Sequence, residues 1–129
     1  MSKKRKFIRF PLDEISQIQA VARVNTHVLA SVQDKQDFDY VAKFLSDSRT
    51  LFKGIDAKMV QICPELELVE WANRARMIND RFDTIERNLA VRGTRLFEWD
   101  RVLEAMGMIT ACRVGAQQTI ALNESPEEN

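Results

Sequence analysis

Proline occurs only at positions 11, 64 and 126, so residues 12–63 and 65–125 run free of the residue that removes a backbone donor and clashes with the preceding helical turn. Glycine occurs only four times. An all-β chain of this size needs turn signals every 8–12 residues, and those are missing, whereas helices of several turns fit each stretch. With 129 residues, 45% hydrophobic and 29% charged, the chain has the length and composition of one folded domain with a single core.

Apolar spacing divides the chain into four helices. Pro11, Asp13 and Glu14 mark a helix start, and Ile18, Val21, Asn25, Val28, Leu29 and Val32 then recur at spacings of three and four, giving a helix over about residues 11–33. The polar run 34–37 is a short connection, with Asp37 as the next N-cap. Phe38, Val41, Leu45, Ser48, Phe52, Ile55 and Met59 follow in near-heptad order, widened by Phe44 and Leu51, with a kink or break expected at Gly54. A third helix is expected from Pro64 to Arg92, carrying Leu68, Trp71, Ala72, Ala75, Ile78, Phe82, Ile85 and Leu89 on one face. Gly93 is its expected C-cap and Thr94 the cap of a fourth helix, whose inner side reads Leu96, Trp99, Val102, Leu103, Met106, Val114 and Ala121. Short connections force antiparallel neighbours. The expectation is therefore an all-α, antiparallel up-and-down four-helix bundle over residues 11–122, with a basic N-terminal arm at 1–10 and a short acidic C-terminal tail at 123–129.

Nineteen Lys and Arg residues balance nineteen Asp and Glu residues, so no global field draws the protein to nucleic acid or an acidic membrane. Attraction must be local. Cys63 and Cys112 have neither the number nor the spacing of a disulfide framework or a zinc site, which predicts two reduced thiols and a cytoplasmic location. The basic start is followed by no apolar signal region, and no run of about 18 apolar residues suggests a membrane span.

The single histidine, His27, falls roughly 160° from the apolar face of its helix, so a di-iron bundle site is not expected. Polar residues inside the apolar stripes carry more information, because a buried polar group needs a partner. Asn79 and Glu86 fall near the inner face of the third helix, and Thr110, Arg113 and Gln117 near that of the fourth. Antiparallel pairing about Gly93 would bring Glu86 level with Asp100 and Asn79 level with Gly107, with Arg113 or Arg101 as other partners for Glu86. Glu67 with Glu70, and Asp80 with Asp83, form i, i+3 acidic pairs such as magnesium-dependent nucleotide hydrolases use, but here both pairs lie on one helix. Glu70 with Arg74, Arg76 with Asp80 and Asp83 with Arg87 read as i, i+4 surface ion pairs.

Lys3, Lys4, Arg5, Lys6 and Arg9 alternate with Phe7, Ile8 and Phe10, a pattern able to track phosphates and stack on bases. Arg74, Arg81 and Arg92 project within about 20° of one another on the third helix, with Arg95 and Arg101 following. Leu66, Met77 and Val91 share the outward side of that helix, and Phe97 and Met108 also fall outside the inner stripes, as a contact surface would. The residues favour a non-enzymatic helical interaction module, a small subunit or adaptor docking on a partner protein or on itself, with no catalytic residues, metal or cofactor. The alternative is a nucleic-acid-binding accessory subunit using the basic arm and the arginine strip. A third option is a magnesium-dependent nucleotide hydrolase around Glu67, Glu70, Asp80, Asp83 and Glu86.

Overall fold

Trp71, Ala75, Ile78, Phe82 and Ile85 alternate spacings of four and three, the interval at which side chains stack along one face of a helix, and all five are buried. They sit at the centre of an all-α fold seen in a computed structural model that describes residues 38–124 together with Phe7. Three helices pack on one another: α1 (Phe38–Ile62), α2 (Glu65–Ala90) and α3 (Trp99–Glu124). The expected helix over 11–33, its capping residue Asp37, His27, the basic arm and residues 125–129 of the tail lie outside the described residues, apart from Phe7.

The Cys63–Pro64 link is too short for anything but an antiparallel return. Pro64 takes an extended conformation as the N-cap of α2 rather than joining its first turn, and its ring keeps Cys63 from continuing α1. Glu65 and Glu67 then lie at the positive end of the α2 dipole. Trp71 Nε1 donates to Asp56 Oδ1 at 2.8 Å, joining α2 to α1 through the one polar atom of a buried indole. Helix α1 continues unbroken through Gly54, where solvent surrounds the missing side chain and the cost of glycine is only its backbone entropy.

The α2–α3 connection departs from expectation. Gly93 does adopt the left-handed conformation, with φ of 82°, but no helix begins at Thr94. Instead its hydroxyl donates to Val91 O at 2.6 Å and accepts from Leu96 N at 3.1 Å, which closes a turn rather than capping a helix. Asn88 completes the loop: its Nδ2 donates to Thr84 O at 3.0 Å, and its Oδ1 accepts Glu98 N at 2.6 Å just before α3 starts. Asn88 is 92% shielded, so Asn88→Ala is expected to lower stability by about 1–2 kcal/mol by leaving the Glu98 amide without its acceptor. Urea unfolding should show a lower midpoint at unchanged slope.

Phe97 and Trp99 close on Phe38 at ring distances of 5.0 and 6.4 Å, so α1 and α3 start at the same end of the molecule. The Lys58–Glu124 ion pair joins their far ends. Helix α3 therefore runs parallel to α1 and antiparallel to α2.

Several positions shift from the expected stripes because α3 is buried around most of its circumference. Val102, Leu103, Ala105, Met106, Ile109, Cys112 and Ala116 join the core formed with α1 and α2. Gly107, Ala111 and Gly115 are buried too, on roughly the opposite side of the helix. Leu96, Val114 and Ala121, expected inside, are exposed, as are Leu51 of α1 and Ala72 of α2. Among the described helices none is long and apolar enough to cross a membrane.

Candidate functional site

Asn79 and Glu86 are exposed, contrary to the inward placement expected of them, because the buried face of α2 is centred on Ile78, Phe82 and Ile85, about 60–100° away. Glu86 reaches across to α1. Arg49 Nη2 lies 3.1 Å from Asp83 Oδ1 and 3.0 Å from Glu86 Oε2, and its guanidinium covers the Phe82 ring at 5.1 Å. The Asp83–Glu86 pair thus holds an arginine from a neighbouring helix. Arg49 was not singled out in the sequence, because its partners lie 34 and 37 positions away.

Two of the expected surface pairs, Arg76 with Asp80 and Asp83 with Arg87, are replaced by other contacts. Arg76 donates to Asn73 Oδ1 at 3.1 Å, and Arg87 reaches Thr84 Oγ1 at 3.4 Å, a long contact. Thr110, Arg113 and Gln117 are half-buried; Arg113 Nη1 donates to Gln117 Oε1 at 3.0 Å and the Thr110 hydroxyl to Met106 O at 2.9 Å. Among the described residues no three His, Cys, Asp or Glu side chains are grouped to hold a metal ion.

The candidate contact residues separate. Leu66 stands 87% exposed in the first turn of α2, while Met77, Val91 and Met108 are half-buried. Phe97 is also half-buried, with its ring committed to Phe38 and Trp99. Two further exposed apolar side chains flank the same Pro64 turn, Val69 at 62% and Val60 at 52%. Neither was singled out by helical spacing, since an isolated outward valine looks like any surface residue.

The arginine candidates spread along α2 and past its C-terminal end. Arg74 and Arg81 are half-buried on the flank facing α3, and the exposed Arg92 lies over the Phe38 ring at 5.9 Å. Arg81, Thr84, Arg101, Glu104 and Ala105 line a recess of about 360 Å³ between α2 and α3. A second recess of about 190 Å³ shares Thr84 and Arg101 with it and adds Arg87, Asn88, Val91, Leu96 and Glu98. Lys3, Lys4, Arg5, Lys6 and Arg9 lie outside the described residues.

Cys63 and Cys112 are both free. Burial raises the Cys63 thiol above its ordinary value, and the Glu67 carboxylate adds to the shift. Cys112 is pushed up to about 11 by burial, against a smaller lowering effect of the Arg74 guanidinium. A small helical packing unit with an apolar turn at one end and an arginine-lined groove at the other is what the geometry defines. Comparison with protein families, with known proteins and with solved structures returns no match to this chain.

Proposed function

We propose that this protein is a non-enzymatic helical interaction module that docks through the apolar surface around the Pro64 turn. The exposure of Leu66, Val69 and Val60 within ten residues of one another carries the reading. A lone exposed leucine is ordinary, but large apolar side chains concentrated on both sides of one turn leave an area that a partner would remove from water. Each such side chain contributes roughly 1.5–3 kcal/mol when fully covered, enough together for a weak to moderate complex.

The proposed fold behind this surface is the full four-helix bundle, with residues 11–33 as the fourth helix. Its support is the second buried side of α3: Gly107, Ala111 and Gly115 recur every fourth residue, and Ala111 is buried while lying outside the cluster shared with α1 and α2. Small residues at that interval allow a further helix to approach closely, and 11–33 has an apolar face of matching length.

The surface is tested by light-scattering mass on a sizing column, where self-docking predicts a species of about twice the 14.9 kDa chain that resists high salt. The double variant Leu66→Asp, Val69→Asp should elute at the monomer mass with its helical circular dichroism unchanged. A chain that remains monomeric at the highest soluble concentration would rule out self-docking.

A further inference from the structure

Arg81 makes no hydrogen bond and no ion pair with any described residue, and its Nε atom is buried. A half-buried guanidinium that makes no ion pair is costly, since its Nε is taken from water and no described protein acceptor replaces the lost hydration. Two further guanidinium groups stand near it. Arg101 faces it across the larger recess from the first turn of α3, and Arg87 stands at the smaller one, committed only to its long contact with Thr84. Two carboxylates also share these walls. Glu98 is occupied by Arg101 Nε at 2.6 Å, which leaves the two terminal nitrogens of Arg101 for another acceptor. Glu104 lines the larger recess with Arg81 and Arg101. Three arginines therefore outnumber two acids, at the end of α3 where the helix dipole is positive.

We propose that the α2–α3 groove binds a phosphoryl group, held between Arg81 and Arg101 with Arg87 at its margin. Guanidinium groups offer paired donors that match phosphate oxygens, and a recess of about 360 Å³ has room for a phosphoryl group with its ester substituent. The wall is mainly polar, so recognition would rest on the anion rather than on an apolar moiety. The phosphoryl group could be borne by a small polyphosphate or phosphate ester, or by the backbone of a single-stranded nucleic acid; the recess chemistry is common to both. This site is at the opposite end of α2 from the docking surface above and does not depend on it.

The test is calorimetric titration of the full chain with inorganic tripolyphosphate in one arm and a short oligothymidylate in the other, at moderate salt. Arg81→Gln and Arg101→Gln should each weaken binding about tenfold or more, and the exposed Arg76→Gln, which lines neither recess, should leave it within about twofold. Arg101 is an exposed side chain, so its variant keeps the test valid if Arg81→Gln fails to fold. Binding of tripolyphosphate alone assigns the site to a small phosphate; binding of the oligonucleotide with the same loss in both variants assigns it to a strand. No binding in either arm, or binding that both variants retain at full strength, overturns the proposal.

Discussion

Phe82→Ala is expected to lower the free energy of unfolding by about 3–5 kcal/mol, the loss that follows truncation of a fully buried aromatic ring. The ring is 1% exposed, meets Phe52 of α1 edge-on at a centroid distance of 5.9 Å, and is covered from outside by the Arg49 guanidinium. Alanine removes the transfer free energy of the ring and leaves a cavity that rigid helices on both sides cannot close. It also removes the surface over which Arg49 is held against Asp83 and Glu86, so the three charges lose their common anchor. The ion pairs themselves contribute little, because both carboxylates are more than half exposed to water. Against a total stability of about 5–15 kcal/mol, such a loss would leave the variant marginally folded at room temperature. Urea unfolding followed by far-ultraviolet circular dichroism measures it, with the fluorescence of Trp71, packed 5.8 Å from Phe52, and of Trp99 as a second probe. A loss below about 1 kcal/mol would mean that the α1–α2 contact is not organised around this ring.

The same residues show why some of the fold could be read from sequence and some could not. The face of α2 was legible because Trp71, Ala75, Ile78, Phe82 and Ile85 keep a strict spacing with mostly polar residues between them. Helix α3 defeats that reading. Its buried residues include Gly107, Ala111, Gly115 and Thr119 as well as Met106 and Ile109, so no one-sided stripe exists to be found, and Val114 and Ala121 were drawn inward by their apolar character alone. The start of α3 is hidden in the sequence because Gly93 and Thr94 have the chemistry of a helix stop followed by a helix cap. What decides the matter is Asn88, ten positions before the Glu98 amide it holds, and no local pattern reveals a contact at that range.

Function residues divide similarly. Helical spacing was enough to align Arg74, Arg81 and Arg92, but not to say that Arg81 would stand in a groove without a partner while Arg92 covers an aromatic ring. Leu66 was legible as an outward residue of an amphipathic helix. Its neighbours Val60 and Val69 acquire meaning only once the Pro64 turn brings the ends of α1 and α2 together.

Alkaline pH should destabilise the protein through Cys112 by about 2–3 kcal/mol. The thiol is 3% exposed, and burial raises it from the ordinary 9.0 to about 11, with Arg74 offsetting part of the shift. In the unfolded chain the same group loses its proton near 9.0. Below that value both states are protonated and Cys112 contributes no pH dependence. Between 9.0 and about 11 the unfolded state binds fewer protons than the folded one, so stability falls as pH rises through that window, and it levels off once the folded thiol also ionises. Two pH units at about 1.4 kcal/mol each set the size of the loss. Urea midpoints for the native protein and for Cys112→Ala, taken between about pH 8.5 and about pH 10.5, isolate the contribution of this thiol from every other pH effect. The variant should lose less stability over that interval than the native protein, by about 2 kcal/mol at its upper end. Thiol chemistry gives a second reading of the same shift, since near pH 8 a group at about 11 is ionised about a hundredfold less than an ordinary thiol at 9.0, and a disulfide reagent should label Cys112 far more slowly in the folded protein than in urea. Equal alkaline losses in the native protein and Cys112→Ala would show that the α3 thiol is not sealed from water, and with it that the contact of α3 with Arg74 and α2 is looser than its burial indicates.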